Sequence, residues 1–170
     1  MVQQGIIAGC AGGMYDNIAE AAAILSGGDV GCGPFSLSVY PPSIPVNLEL
    51  MQNGVQQALL EAGVLFKPCF CGPCFGAGDV PANNALSVRH TTRNFPNREG
   101  SKPGDGQLSG VLLMDARSIA ATARNHGVVT SAAEVDYPAP APVRRTFDGG
   151  VYGRRVYFGY GKARPEAPLH

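Results

Sequence analysis

Residues 5–25 read GIIAGCAGGMYDNIAEAAAIL. An apolar run of strand length, 5–10, meets a Gly12-Gly13 turn; beyond it Ile18, Ala21, Ala22 and Leu25 recur at helical spacing, with Asp16 placed to cap the start. Such a change of period marks a strand feeding a helix, and it repeats down the chain. Residues 35–40 read as a second strand, closed by Pro41-Pro42, and 44–62 as a helix with Leu48, Met51, Val55 and Leu59 on one face, ended by Gly63. Residues 64–66, 85–90 and 108–114 supply three more strands, and Asp115 caps a helix that runs through Ala120 and Ala123 to Gly127. Strands separated by helices predict an α/β fold, a three-layer sandwich around a mostly parallel sheet. Ligand sites in such sheets lie beyond the carboxyl ends of the strands, so the residues just after each strand carry the functional reading.

Composition narrows the classes. The 170 residues carry 13 basic and 13 acidic side chains, which excludes the electrostatic footprint of a general nucleic-acid binder. No basic segment precedes the short apolar stretch 6–11, and no apolar run reaches the roughly 18 residues of a membrane helix. The expected setting is therefore cytoplasmic and reducing, with neither membrane nor nucleic acid as partner, where five cysteines are metal ligands, catalytic thiols or buried apolar residues rather than disulfides. The charged fraction of 15% is low against about 25% in ordinary globular chains, as for a surface partly meant to be covered.

The chain divides into residues 1–135, which hold the α/β pattern, and a basic tail, 136–170. The tail carries Arg144, Arg145, Arg154, Arg155, Lys162, Arg164 and four of the six tyrosines. Its Pro-Ala-Pro-Ala-Pro run, 138–142, predicts an extended linker, and 151–160 a strand or hairpin. The end at His170 has no capping signal, as expected of a segment of something longer.

Three cysteines follow strand ends. Cys10 lies after the first strand and the Cys71-Gly72-Pro73-Cys74 pair after the third, so all three can converge on one point. Thiolates there suit zinc or an iron–sulfur cluster, in an enzyme or in a non-catalytic metal-binding module. Taken alone, Cys71-Gly72-Pro73-Cys74 is also the dithiol pattern of thioredoxin-like oxidoreductases, although Phe75-Gly76-Ala77-Gly78 is a poor helix start and no Trp precedes it. Cys32, in a Gly/Pro loop, reads as a buried thiol; Cys69, two positions from Cys71, is within reach as a fourth ligand but reads better as a non-ligand. After the fourth strand, Arg93 and Arg98 stand five apart in a Gly/Pro/Asn-rich loop, where guanidinium forks can be aimed at one carboxylate-bearing anion. Of the histidines, His90 reads as a strand-packing residue and His126 as a helix C-terminal cap.

Residues 8–11, the Cys71/Cys74 pair and the run Arg93-Asn94-Phe95-Pro96-Asn97-Arg98 occur in the order and spacing of three motifs of the aconitase superfamily, which includes the isopropylmalate dehydratase large subunits. The chain resembles the third, cluster-binding domain of such an aconitase-like hydratase. It departs from the family pattern at Ala11 and Gly12, at Thr92 in place of Asn, and at Asn97 in place of Gly. The resemblance implies a lyase that dehydrates and rehydrates a hydroxy di- or tricarboxylate. It also implies Cys10, Cys71 and Cys74 as ligands of a [4Fe-4S] cluster and Arg93 and Arg98 as contacts to substrate carboxylates. The general base would come from N-terminal or swivel domains absent from these 170 residues, with the tail as connector and the chain inactive by itself.

Overall fold

The computed structural model describes residues 1–92, 97 and 102–157. Five strands, β1 (Gln4–Ile7), β2 (Ser36–Val39), β3 (Leu65–Phe66), β4 (Leu86–His90) and β5 (Gly110–Leu113), form one sheet in the order β3-β2-β1-β4-β5. Every pairing is parallel; Gly5, for example, sits opposite Leu37 on one side and Val88 on the other. All five strands therefore end on the same edge, and the loops that follow them share one rim.

The sheet's two faces are built differently. Side chains alternate along a strand. On one face Ile7, Leu37, Val39 and Val88 join the main core with α2 (Tyr15–Leu25), α3 (Ile44–Gln52), α4 (Val55–Glu61) and α5 (Ala116–Arg124). At Gly5 a Cβ would already lie 3.0 Å from Ile119 of α5, so the strand's lack of a side chain lets that helix sit close. The opposite face carries a small apolar cluster of Ile6, Ala8 and Tyr40 beside buried Gln4, Ser87 and Arg89. It is covered by the irregular segment 67–81, which reaches it through Pro73 and Asp79.

Several predicted boundaries move. The first strand stops at Ile7 rather than at residue 10, because Gly9 takes φ +73° and opens a four-residue helical turn, α1 (Gly9–Gly12). Asp16 is not the cap of α2: Met14 holds that position, and Asp16 lies in the first turn, where a negative charge meets the positive end of the helix. The single helix expected over 44–62 is two, broken at Asn53-Gly54 with Gly54 at φ +73°. The break changes which face is buried: Leu50, Glu49 and Leu59 lie inside, whereas Met51 is 53% exposed. Asp115 caps α5 as expected, its Oδ1 accepting from the Arg117 and Ser118 N–H groups.

Residues 136–157 form a strap along the helical face. Tyr137 donates to Glu20 in α2 at 3.3 Å, Arg145 pairs with Asp16 and lies 5.2 Å above the Tyr15 ring, and Phe147 meets that ring edge-on. The strap's main anchor is the buried Glu49 carboxylate, which accepts from Thr146 N–H, Thr146 Oγ1 and Phe147 N–H. Burial pushes this carboxyl up, but those donors and the Asn53 amide outweigh it and hold the group below the usual carboxylate range. The strand or hairpin expected at 151–160 does not form in its described part. A 3-10 helix, Gly149–Arg154, stands there, with Val151 buried and Tyr152 Oη accepting from Ile44 N–H at 3.4 Å; residues 158–160 lie outside the described residues. Among the described residues no helix is long and apolar enough to cross a membrane.

Candidate metal centre

The rim is tightest around Cys10. The turn that carries it is wedged between neighbouring strand ends: a Cβ on Gly12 would fall 1.9 Å from the His90 carbonyl oxygen, and one on Gly13 would fall 2.3 Å from that of Tyr40. Only glycine fits such approaches. The wedge holds Cys10 exposed at the rim, with its Sγ 2.9 Å from the hydroxyl of Thr92, just beyond β4.

The second group of thiols arrives from β3. After Lys67 N–H bonds to Val39 O at 2.9 Å, the chain leaves the sheet and forms the 3-10 turn Gly72–Cys74. Cys74 N–H closes on Cys71 O at 3.1 Å, while Phe75 and Ala77 N–H both return to Gly72 O. Gly72 is boxed in, since a Cβ there would lie 1.9 Å from Ala77 O.

The two loops meet over Gly9. A Cβ on Gly9 would lie 3.3 Å from Cys74 Sγ, 3.5 Å from Cys71 Sγ and 3.5 Å from Thr92 Oγ1, so the missing side chain leaves the thiols a cradle. Burial, followed by the adjacent Cys74 and Cys10 sulfurs, pushes the Cys71 thiol above its ordinary value, opposed by the Cys10 backbone N–H. The structure thus gathers Cys10, Cys71 and Cys74 on one rim. No three Cys, His, Asp or Glu side chains among the described residues surround a single point at the spacing of one metal ion. The cysteines bring three sulfur donors to the rim, the kind of donor that suits an iron–sulfur group.

Cys69 is half-buried, its thiol also raised by burial. Cys32 corrects an expectation: its loop leaves it exposed, not buried. Arg93 and Arg98 lie outside the described residues. Asn97, between them, has φ +58°, the left-handed region in which Gly and Asn are the favoured residues. His90 Nδ1 accepts from Ala116 N–H at 3.1 Å, tying β4 to the start of α5. His126 follows the end of α5, beside Asp29 at 3.4 Å and next to the Val2–Gly127 pairing, at the opposite end of the sheet from the thiols.

Sequence reasoning missed what lies beneath the thiols. Arg89 on β4 is 2% exposed; its Nη1 donates to Pro73 O at 2.9 Å, its Nε to Ser87 Oγ at 3.0 Å, and its Nη2 to Gln4 Oε1 at 3.3 Å and Asp79 O at 3.4 Å. Gln4 Nε2 also donates to Asp79 O, at 2.9 Å, and Tyr40 donates to Asp79 Oδ2 at 2.6 Å. Burial first, then the Asp79 carboxylate, pushes the Tyr40 phenol well above its usual range. The available signal was an arginine inside a strand whose neighbour Val88 faces the core.

Comparison with known proteins agrees with this architecture. A sequence model of the aconitase family (aconitate hydratase) matches residues 1–121, from the first strand into α5 and short of the strap. The 3-isopropylmalate dehydratase large subunit of Nitratidesulfovibrio vulgaris is 32% identical over 123 residues, which cover 69% of this chain and 28% of that protein. The 3-isopropylmalate dehydratase large subunit 1 of Methanopyrus kandleri is 34% identical over 119 residues, again 69% and 28%. The Pyrococcus horikoshii large subunit is 31% identical over 135 residues, 76% and 32%. The chain thus spans about three-tenths of the length of these relatives. Because the family match covers residues 1–121, well over half of the chain, the chain belongs to the aconitase family.

Proposed function

We propose that this chain is the cluster-binding part of an aconitase-like hydro-lyase acting on a hydroxy di- or tricarboxylate, in a reducing, cytoplasmic setting. Cys10, Cys71 and Cys74 would hold a [4Fe-4S] cluster. The observation that carries this reading is the meeting of Cys71 and Cys74 with the Cys10 turn over the side-chain-free Gly9. Bound by three thiolates, such a cluster supplies an iron with an open position, a Lewis acid for a substrate hydroxyl.

The chain's own residues then have separate tasks. Arg93 and Arg98 bind substrate carboxylates through their planar forks. Thr92, hydrogen-bonded to Cys10, fixes the start of the loop that carries them. The general base and the remaining carboxylate contacts come from N-terminal and swivel domains, on this chain or another. The strap would serve as the connector toward the latter. These 170 residues alone are expected to be inactive and, purified in air, largely without cluster.

Anaerobic incubation with iron and sulfide, read by absorbance and electron paramagnetic resonance, tests the reading. The wild-type chain should acquire a cluster and Cys10→Ser should not; full uptake in Cys10→Ser refutes the ligand set. The thiol–disulfide alternative needs a thiolate at neutral pH, and the Cys71 thiol is displaced the other way. Insulin reduction dependent on Cys71 and Cys74 would support that alternative instead.

A further inference from the structure

We propose that Arg89 is the positioning residue of the thiol segment: its buried guanidinium sets where Cys71 and Cys74 stand relative to Cys10. The inference rests on the cluster-binding reading for its purpose, and on the polar sheet face for its geometry.

Segment 67–81 has little else to hold it. Its one element of regular structure is the 3-10 turn, and its two large apolar side chains, Phe70 and Phe75, meet edge-to-face at 6.1 Å while remaining 50% and 47% exposed. Apolar burial therefore anchors this segment weakly compared with the helices on the other face. Its polar backbone does the anchoring. Pro73 O lies between the two cysteines, Asp79 O lies five residues past Cys74, and one rigid fork donates to both. A planar guanidinium fixes the separation and direction of its acceptors, which a flexible ammonium does not.

The fork is itself held. Ser87 Oγ accepts from Nε and donates to Gln4 Oε1 at 2.7 Å, and Gln4 spans from that contact to Asp79 O. Tyr40, just past the end of β2, grips the Asp79 carboxylate, at a residue whose φ of +47° is costly without such restraint. Three adjacent strands thus feed one polar hub, and the hub's output is the position of a carbonyl between the two thiols. Loss of Arg89 would leave the buried Pro73 carbonyl without this donor and Asp79 O with Gln4 alone, and the segment would open to rehydrate Pro73 O.

The test uses the 170-residue chain with Arg89→Met, which keeps length without donors, Arg89→Lys, which keeps charge without the fork, and Tyr40→Phe, which releases Asp79 alone. Two readouts need no metal: amide hydrogen exchange across residues 70–79, and affinity for phenylarsine oxide, which bridges two thiols only at the right separation. A third is cluster per chain after anaerobic reconstitution. In Arg89→Met we expect exchange of the segment to quicken and arsenical and cluster binding each to weaken, by about tenfold or more, the usual scale for lost outer-shell partners. Exchange of α2 and α5 should stay at the wild-type rate, and Arg89→Lys should recover part of the loss. Wild-type exchange and arsenical affinity in a folded Arg89→Met chain overturn the proposal. Should that variant not fold, Tyr40→Phe decides: faster exchange limited to the segment supports it, and unchanged exchange overturns it. Failure of the wild type to take up any cluster would refute the cluster reading, while the two metal-free readouts would still decide the role of Arg89.

Discussion

The sheet's helical face and its thiol-bearing face are covered by opposite means. On the helical side, apolar side chains at periods of two and 3.6 interlock, and identity matters less than shape and volume. On the thiol side, backbone carbonyls of an irregular segment are met by a few buried polar groups, and every donor has a particular acceptor. The first arrangement gives stability that tolerates substitution. The second gives position that does not, which is what a ligand set drawn from two distant loops requires.

The contrast can be broken most sharply at Gly72. A Cβ there would meet Ala77 O at 1.9 Å and the Phe70 ring at 2.3 Å, so Gly72→Ala should abolish cluster uptake while leaving the main thermal transition near its wild-type temperature. A folded Gly72→Ala chain that still fills with cluster would show that the segment's shape is not decisive. The mirror experiment is Leu37→Ala, fully buried on the helical face, which should cost about 3 kcal/mol of global stability in denaturant unfolding. Its thiol reactivity under native conditions should stay that of the wild type.

A smaller effect should appear at the strap. Glu49 ionises below the usual carboxylate range when folded, so the unfolded chain takes up its proton first as the solution is acidified. The strap's contribution is therefore complete above the usual range and is lost as pH falls through the lowered folded value. Unfolding measured across that window should show a pH slope that Glu49→Gln reduces; an identical slope in both would mean that the carboxylate does not hold the strap. The smallest effect is expected at Met51, where Met51→Ala should stay within about 0.5 kcal/mol of wild type, in contrast to Leu50→Ala one residue away.

These two faces were also unequally legible. The helical side could be read because its strands and helices announce themselves by period, and strands alternating with helices imply parallel pairing, though not the order of the strands. The stripe through Met51 failed because Asn53-Gly54 interrupts the helix, and a left-handed residue resets the phase on either side of it. The cysteines were legible through their place after strand ends. Arg89 was not: in a strand, an arginine beside Val88 looks the same in sequence whether it meets water or a carbonyl. The strap escaped for a related reason, since Glu49 is satisfied mostly by backbone N–H groups, which leave no residue-type signal.

The strap has a mechanical consequence. Tension applied to the chain from beyond Tyr157 would be carried into the domain by Glu49 on α3 and by Asp16 and Tyr15 at the start of α2. Those helices rest on the apolar core, so the load spreads into the stiffest part of the molecule. The Cys71–Cys74 turn hangs from Arg89 on the other side of the sheet, and the strap comes near that segment through Arg155, whose charge reaches Cys69.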